Sequence, residues 1–330
     1  MSTIFSTGLP NCREGRLNPP GSVDVDWLRG AAQAAERLGY SSLWLNEFVA
    51  TEPTVAARFS SPPQLFEPHI LIAFLASQTQ RIRFVTSTTV LPLHQPLEFS
   101  RQVATLDVLL GGRLTIGLGL GGSLEEFRKL HGELRGVNRG LMMDEYIEAL
   151  RVLMAGQRAT YHGKTVSFED VESYPKPVQS PLPLYMAGSV DAVFGRVAKH
   201  GQGWIDTFLR PEAMRDKIDM LRALLDSEGR QQDSVAIARQ FYVSIAETEI
   251  AAKANYEAAL SDARADVPAR AVPDGMEMTL IGTPERISAR LAEYIEAGVT
   301  EVCAIFYSRD LRGAHEQMEL FSEKVVKEFA

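Results

Sequence analysis

The stretch TPERISARLAEYIEAGVTEVCAIFY, residues 283–307, contains one complete helix–strand unit. Thr283 is suited to cap the start of the helix, Pro284 fits its first position, and Gly298 fits its end. The short apolar run that follows Gly298 has the length and composition of a buried strand. A helix that leads through a glycine directly into such a strand is typical of right-handed β–α–β units and of a parallel sheet.

Seven more strand candidates precede this unit, and amphipathic helical patterns lie between them. The eight candidates are residues 3–9, 41–47, 81–91, 113–119, 182–188, 203–208, 235–245 and 300–307. Eight β/α units favour a closed (β/α)8 TIM barrel, and an open doubly wound sheet is the alternative. Because no internal repeat, linker or low-complexity segment divides the chain, we predict a single domain over residues 1–330.

Four connections are longer than a barrel requires, and they predict loop insertions. They cover residues 49–68, 122–140, 156–181 and roughly 262–280. The first two follow strands, so we expect them at the C-terminal face, where the active sites of TIM barrels lie. Long connections in compact domains are often functional. For the segment 262–280, a lid and a plain surface insertion are both open interpretations.

The composition excludes several classes of protein. The chain has 330 residues and a formal net charge of -8, which argues against nucleic acid or an anionic membrane as a main partner. It shows neither a secretion signal nor a long apolar run, so we expect a cytoplasmic protein without a membrane span. Cys12 and Cys303 lie far apart, and neither they nor the histidines have metal-ligand spacing. We therefore expect no metal site and no disulfide framework.

Two glycine-containing turns are candidate cofactor contacts. In GGRLTIGLGLGG, residues 111–122, Gly117 and Gly119 stand at a strand end and either admit a ligand close to the backbone or form a structural turn. The stretch matches neither the Rossmann glycine spacing nor a Walker A motif. At residues 187–189 a strand ends in Ala-Gly-Ser just before a helix, which suits a phosphate. The alternative for Ser189 is an ordinary helix N-cap.

Glu47 and His94 are the candidate catalytic side chains. Glu47 ends the second strand candidate in the sequence WLNEF, and His94 follows the third strand candidate. Both positions fall where the C-terminal mouth of a barrel is expected. A structural role for Glu47, as an acceptor for backbone N–H groups, is equally open.

Several segments together resemble the bacterial luciferase-like, flavin-dependent monooxygenase family. The succession TLD, GGR and G-x-G within residues 105–119 is the most specific part of this resemblance. The segments that carry it are residues 39–48, 76–122, 136–156, 173–205 and 281–302. The resemblance implies a TIM barrel, usually dimeric, that binds reduced FMN or, in another branch, a deazaflavin.

The resemblance also implies roles for individual residues. Ala187, Gly188 and Ser189 match the turn that contacts the phosphate, and Gly119 matches a position beside the cofactor. Two further matches are a non-proline cis peptide between Ser87 and Thr88, facing the flavin ring, and Glu47 beside the ring pocket. The glycines around residues 117–122 are then expected to make room for the flavin.

Two positions depart from the family pattern. Phe48 stands where luciferase-type members have a histidine that assists the oxygen chemistry, and a phenyl ring cannot transfer a proton. Leu120 stands where an arginine often contacts the phosphate. Arg101, Arg113 and Arg139 are the candidates to compensate for that missing arginine.

The function implied by the resemblance is a two-component monooxygenase. Reduced FMN from a separate flavin reductase would react with O2 to a C4a-(hydro)peroxyflavin that oxidises a small organic substrate. Two alternatives stay open: deazaflavin-dependent hydride transfer, and a flavin-binding subunit without turnover. The apolar helices after the second and third strands form either a homodimer face or a cover for the barrel.

Overall fold

The computed structural model describes residues 3–15, 17–50, 59, 61–121, 127, 132, 136–263 and 279–329. The strands are β1 (Ile4–Gly8), β2 (Ser42–Leu45), β3 (Arg83–Val90), β4 (Leu114–Gly119), β5 (Ala159–His162), β6 (Ser167–Val171), β7 (Leu184–Ala187), β8 (Gly203–Asp206), β9 (Ala236–Ile245), β10 (Thr279–Gly282) and β11 (Glu301–Phe306). The helices are α1 (Val25–Arg37), α2 (Pro68–Ala76), α3 (Pro96–Leu109), α4 (Arg139–Ala155), α5 (Asp191–His200), α6 (Pro211–Ser227), α7 (Glu249–Ala263), α8 (Pro284–Glu296) and α9 (Leu311–Leu320).

The main sheet closes into a barrel of eight parallel strands. Its order is β11, β1, β2, β3, β4, β7, β8 and β9, and β9 pairs in parallel with both β8 and β11. These eight strands are the eight that the sequence predicts, so the TIM barrel is confirmed and the open sheet is excluded. Two features were not predicted: β10 pairs in parallel with residues 242–245 of β9, and β5 and β6 form an antiparallel hairpin within the connection 156–181.

The helix ends follow the sequence signals. The side chain of Thr283 accepts a hydrogen bond from the Arg286 N–H at the start of α8, and Pro284 occupies the first turn. Gly298 follows the end of that helix with φ at 112°, a left-handed conformation that glycine adopts without strain. Gly39 ends α1 in the same way, with φ at 82°.

Apolar side chains fill two layers, because successive residues of a strand point to opposite faces of the sheet. One layer lies between the strands and the helices, and it includes Leu28, Leu43, Phe99, Ile116 and Val302. The other lies inside the barrel, and it includes Trp44, Val85, Ile205, Cys303 and Ile305. Cys12 and Cys303 are both buried, and neither forms a disulfide bond within the described residues.

A polar network lies inside the barrel at the N-terminal ends of the strands. We call it the barrel floor, and it consists of Ser6, Ser42, Trp44, Tyr185 and Glu301. The Ser6 hydroxyl donates to Glu301 Oε1 at 3.2 Å, the Tyr185 hydroxyl donates to Oε2 at 3.3 Å, and Trp44 Nε1 donates to Ser42 Oγ at 2.8 Å. Burial raises the pKa of Glu301, and its hydrogen bonds offset this only in part.

The described residues contain no helix with the length and apolar content of a membrane span. Two of the four long connections, residues 122–140 and 262–280, fall largely outside the described ranges, and residues 51–58 and 60 of the first connection also fall outside them. The predicted lid, residues 262–280, is among them, so that prediction lies outside the described residues.

Candidate active site

A β-bulge in β3 marks the C-terminal end of the barrel. The register between β3 and β4 shifts between Thr86 and Thr89. The peptide bond between Ser87 and Thr88 is cis, at the position that the resemblance implies. The bulge therefore lies where the sequence analysis placed one wall of a cofactor site.

The glycines of β4 allow β3 to approach closely. A Cβ atom at Gly117 would lie 2.1 Å from the carbonyl oxygen of Thr86, and one at Gly119 would lie 2.4 Å from Thr88 Oγ1. Real side chains do not tolerate such distances, so the bulge of β3 already requires glycine at both positions. The space expected there for a flavin stays a prediction.

Two side chains from distant parts of the chain hold Ser87 in place. Asn46 Nδ2 donates to the carbonyl oxygen of Ser87 at 2.6 Å, and Gln240 Nε2 donates to its hydroxyl at 2.6 Å. Asn46 is itself fixed by Asn11, whose side-chain oxygen accepts a hydrogen bond from the Asn46 N–H at 3.1 Å. Neither Asn46 nor Gln240 was singled out in the sequence, although Asn46 directly precedes Glu47 at the end of a predicted strand.

Arg13 joins this group from the segment that follows β1. Its guanidinium donates to Asn46 Oδ1 at 2.5 Å and to the Tyr242 hydroxyl at 3.1 Å, and it lies over the Tyr242 ring. Only 5% of Arg13 is exposed. We call Arg13, Asn46, Ser87, Gln240 and Tyr242 the barrel mouth. No local motif marks Arg13, so sequence reasoning missed it.

Glu47 and His94, the two predicted catalytic residues, lie in contact. His94 Nε2 is 2.8 Å from Glu47 Oε1, and Glu47 Oε2 accepts a hydrogen bond from the Val90 N–H at 2.6 Å. The imidazole of His94 packs on the ring of Phe99, with 4.8 Å between the ring centres. Glu47 therefore acts as a backbone acceptor and also holds His94 beside the end of β3.

A second histidine–carboxylate pair lies next to the first. His69 Nδ1 is 2.6 Å from Glu67 Oε1, and His69 Nε2 is 3.1 Å from Thr89 Oγ1. Burial favours a higher pKa for Glu67, but His69 and neighbouring N–H groups outweigh it, and the pKa lies below its ordinary value. Ligand-type atoms of Glu47, Glu67 and His69 lie within 4.8 Å of one another. Hydrogen bonds within the protein already engage all three side chains.

The turn at residues 187–189 leads into α5 without a side-chain cap. The N-cap residue is Val190, and no side chain accepts a hydrogen bond there. The N-cap alternative for Ser189 is therefore wrong, and Ser189 is exposed. Gly188 has φ at 122°, and its carbonyl oxygen accepts a hydrogen bond from Trp204 Nε1 at 2.7 Å. This fixed turn presents backbone N–H groups and the positive end of a helix, which fits a phosphate.

One of the three candidate arginines stands beside Leu120. Arg139 Nη1 donates to the Leu120 carbonyl oxygen at 3.0 Å. Arg113 instead donates to backbone carbonyl groups at the N-terminal end of β4, away from the mouth. Arg101 lies on the exposed face of α3. Arg139 is therefore the arginine that the fold brings to the turn after β4.

A closed parallel barrel with polar side chains gathered at the C-terminal ends of its strands is the architecture of a TIM-barrel enzyme. The sequence profile of the family described as luciferase-like monooxygenase matches residues 4–301. The chain therefore belongs to the luciferase-like monooxygenase family, and as a member of it the chain is an oxidoreductase.

Known proteins similar to this chain include both monooxygenases and reductases. The uncharacterized protein Rv0953c of Mycobacterium tuberculosis is 30% identical over 212 residues, which cover 61% of this chain and 74% of that protein. The crystal structure of the monooxygenase RslO1 from Streptomyces bottropensis has a TM-score of 0.81 at 20% identity and covers 99% of this chain and 100% of its own.

Two further structures differ in their cofactors. The coenzyme F420-dependent tetrahydromethanopterin reductase of Methanopyrus kandleri has a TM-score of 0.77 at 16% identity, with 100% of each chain covered. The oxygenating constituent of 3,6-diketocamphane monooxygenase from Pseudomonas putida, in complex with FMN, has a TM-score of 0.74 at 16% identity, with 99% of each chain covered. At these identities the likeness shows the fold alone.

Proposed function

We propose that this protein is the oxygenase component of a two-component flavin-dependent monooxygenase. It takes reduced FMN from a separate reductase and uses O2 to oxidise a small organic substrate. The observation that carries the proposal is the uncapped N terminus of α5 directly after Gly188 and Ser189. Membership of the luciferase-like monooxygenase family and the likeness to an FMN-bound monooxygenase support it.

The phosphate of FMN fits the turn at residues 187–189. Backbone N–H groups at the start of α5 and the hydroxyl of Ser189 are its donors, and Arg139, the first residue of α4, supplies a positive charge beside Leu120. Asp191 in the first turn of α5 would repel a phosphate, but Lys217 Nζ lies 2.9 Å from its carboxylate and offsets that charge.

The isoalloxazine ring fits against the bulge of β3. Ser87 and Thr88 form that wall together with Gly119, and Asn46 and Gln240 hold the wall in place. When bound, reduced FMN supplies the electrons for splitting O2, with one oxygen atom going to the substrate and the other to water. The chain binds and orients the reactants and excludes water from them.

Glu47 and His94 have separate roles in this proposal. His94 is the group that holds and moves a proton at its imidazole, because Phe48 replaces the family histidine and cannot do so. Glu47 orients the imidazole through its contact at 2.8 Å and fixes the Val90 backbone with its other oxygen. In this proposal His94, which follows β3, takes the proton-transfer role that other family members assign to the position of Phe48 after β2.

Hydride transfer with a deazaflavin is the second candidate function. The likeness to an F420-dependent reductase, over the full length of both chains, favours it. Phe48 is compatible with it as well, because hydride transfer makes no use of the oxygen chemistry that the family histidine assists.

We also propose that two copies of the chain associate through α2 and α3. These neighbouring helices expose Ile70, Phe74, Val108 and Leu109, of which Ile70 is 74% and Leu109 is 64% exposed. Large apolar side chains exposed together mark interaction surfaces. Sedimentation velocity is expected to show a dimer that Ile70→Glu and Leu109→Glu dissociate.

The function is tested by loading the protein with photoreduced FMN and mixing it with oxygenated buffer in a stopped-flow instrument. We expect oxidised flavin to return more slowly than in free FMN, because the site controls how oxygen and water reach the ring. Ser189→Ala is expected to weaken FMN binding about tenfold, as loss of one hydrogen bond to a charged group does. The control is Ser41→Ala, an exposed serine at the other end of the barrel.

Reoxidation at the rate of free FMN would contradict the monooxygenase proposal. Tight binding of the deazaflavin in place of FMN, together with indifference to oxygen, would support the second candidate. Binding of either flavin without any turnover would indicate a flavin-binding subunit.

A further inference from the structure

We propose that Arg13 binds an anionic group of the organic substrate, of the carboxylate or sulfonate type. This inference rests on the proposed function, because it names the class of molecule that the same mouth takes as substrate. It begins from a buried charge that the described part of the protein leaves uncompensated.

Arg13 differs from the other buried arginines of the described chain. Arg239 lies 2.9 Å from the carboxylate of Asp206, and Arg196 pairs with Asp144. Arg13 has no carboxylate within 4.0 Å among the described residues, and its hydrogen-bond acceptors are a neutral amide and a neutral hydroxyl. A guanidinium is always charged, and burying it without a counter-charge is costly. An anion bound from outside would remove that cost.

The adjacent acidic residue does not supply the missing charge. The carboxylate of Glu14 accepts hydrogen bonds from the Val23 N–H and the Gln64 N–H, each at 2.8 Å. It is thus turned toward the backbone of two other segments. Glu14 therefore fixes the loop that carries Arg13, and the hydrogen-bond partners of the Arg13 guanidinium are neutral.

A water molecule cannot replace an anion as the partner of the Arg13 guanidinium. The Nε atom of Arg13 has no hydrogen-bond partner among the residues that the structure describes, and Arg13 borders a cavity of about 30 Å³ next to Gly8 and Ile305. A cavity of this size has room for about one water molecule. A water there can accept a hydrogen bond from Nε, but it cannot balance the positive charge.

The position of Arg13 in the barrel separates it from the proposed phosphate turn. In the closed strand order, β1 and β7 are four places apart, so they stand on opposite sides of the barrel. Arg13 follows β1, whereas Gly188 follows β7. Through Asn46, however, Arg13 is only two hydrogen bonds from Ser87. Arg13 therefore lies close to the proposed ring wall but far from the phosphate turn. This is the side of the barrel where the substrate is expected to bind.

The ring of Tyr242, which Arg13 contacts, continues into further aromatic side chains. The rings of Tyr242 and Tyr307 are 6.0 Å apart, and the rings of Tyr256 and Tyr307 are 4.9 Å apart. The segment after Arg13 packs against Pro63, which a Cβ atom at Gly15 would meet at 3.0 Å. Such walls suit the carbon skeleton of an organic acid better than a free inorganic ion.

The test compares an acid with its neutral amide on the full-length protein. Benzoate against benzamide and hexanoate against hexanamide are titrated by calorimetry, with and without oxidised FMN. We expect the wild type to prefer each acid. Arg13→Gln is expected to weaken binding of the acid about tenfold or more while binding of the amide stays unchanged. Arg312→Gln removes a charge that is 88% exposed on α9 and is expected to behave as the wild type.

Arg13→Lys keeps the charge but loses the planar fork of donors, so an intermediate loss is expected. It also serves as the folded variant if Arg13→Gln fails to fold. Absence of any acid-over-amide preference in the wild type, or an unchanged preference in both variants, would overturn the proposal. An equal loss of FMN affinity would overturn it too, because Arg13 would then serve the cofactor. The titration requires no oxygen and no reductase, so its failure is distinct from failure of the monooxygenase function.

Discussion

The floor and the mouth of the barrel are two polar networks inside the same apolar wall. They differ in charge, because the floor favours a neutral carboxyl group and the mouth holds a charged guanidinium. At the floor, the carboxyl group of Glu301 accepts hydrogen bonds from Ser6 and Tyr185. Burial raises its pKa, which favours the neutral form. At the mouth, Arg13 keeps its charge among neutral partners. The polar groups of the floor find their hydrogen-bond partners within the protein, whereas in our proposal a bound anion balances the charge of the mouth.

This difference indicates where stability and function reside. A self-satisfied buried network contributes to a unique packing arrangement, and removing one of its members affects the fold. A network with an uncompensated charge is less favourable for the empty protein, and such sites are typical of binding surfaces. Variants of the floor are therefore expected to change stability without changing binding, and variants of the mouth are expected to change both.

The largest effect is expected at the floor, from Gly203→Ala. A Cβ atom at Gly203 would lie within 2.5 Å of three ring atoms of Tyr185, whose hydroxyl bonds to Glu301. The buried ring has to move, so we expect the free energy of unfolding to fall by about 3 kcal/mol. Urea unfolding followed by tryptophan fluorescence measures this.

The matched control is Gly195→Ala in α5, where an added Cβ atom meets nothing within 4 Å. That variant is expected to be about 0.5–1 kcal/mol more stable, because alanine is the better helix former. If Gly203→Ala lost no more than about 0.5 kcal/mol, the floor would be less tightly packed than the distances imply.

A middle-sized effect is expected at the mouth, from Asn46→Ala. The change leaves the Ser87 carbonyl oxygen and one N–H of Arg13 without partners, and we expect a loss of about 2 kcal/mol in unfolding free energy. Because Ser87 belongs to the proposed ring wall, FMN reoxidation is expected to approach the rate of free FMN.

Ser42→Ala is the corresponding variant of the floor. Ser42 is 3% exposed, and its hydroxyl oxygen accepts the hydrogen bond of Trp44 Nε1, so the substitution leaves that N–H without its acceptor. It is expected to lower stability and to leave FMN reoxidation unchanged. Equal effects of Asn46→Ala and Ser42→Ala on reoxidation would erase the functional distinction between mouth and floor.

The smallest effect is expected from Glu301→Gln, and it depends on pH. The folded protein holds the pKa of Glu301 above its ordinary value, so ionisation of this carboxyl disfavours the folded state. Wild-type stability should therefore fall as the pH rises from the ordinary glutamate pKa, about 4.3, through the raised value. Glutamine does not ionise and lacks this loss.

Thermal unfolding at a series of pH values from about 4 to 8 measures the effect, since this range spans the ordinary glutamate pKa and physiological pH. The difference in Tm between Glu301→Gln and the wild type is expected to grow in favour of the variant as the pH rises through this range. Parallel curves would mean that the floor accepts the charged carboxylate, as the mouth accepts the charged guanidinium.

The sequence predicted much of the fold because its signals are local. Alternation of apolar residues, a capping Thr283 and terminal glycines are each visible within a few residues, and they locate the eight barrel strands. The resemblance added the cis peptide between Ser87 and Thr88, which is present. The hairpin of β5 and β6 was missed because its short strands carry mostly exposed polar residues without a buried face.

The candidate site was predicted in part. Glu47 and His94 were placed at the same end of the barrel by strand order alone, and they do meet. Their catalytic role stays a prediction, as do the cofactor contacts, the single domain and the cytoplasmic location. Arg139 could be chosen among the three candidate arginines only once the turn after β4 was visible.

By itself, the sequence determined the order of strands and helices, the closure into a parallel barrel and the family of the chain. Only the tertiary structure decided that Arg13 meets Asn46, 33 residues away, and Tyr242, 229 residues away. The physical reason is one of range. Secondary structure depends on side chains a few residues apart, whereas the charge balance of a buried site depends on groups that closure of the barrel brings together.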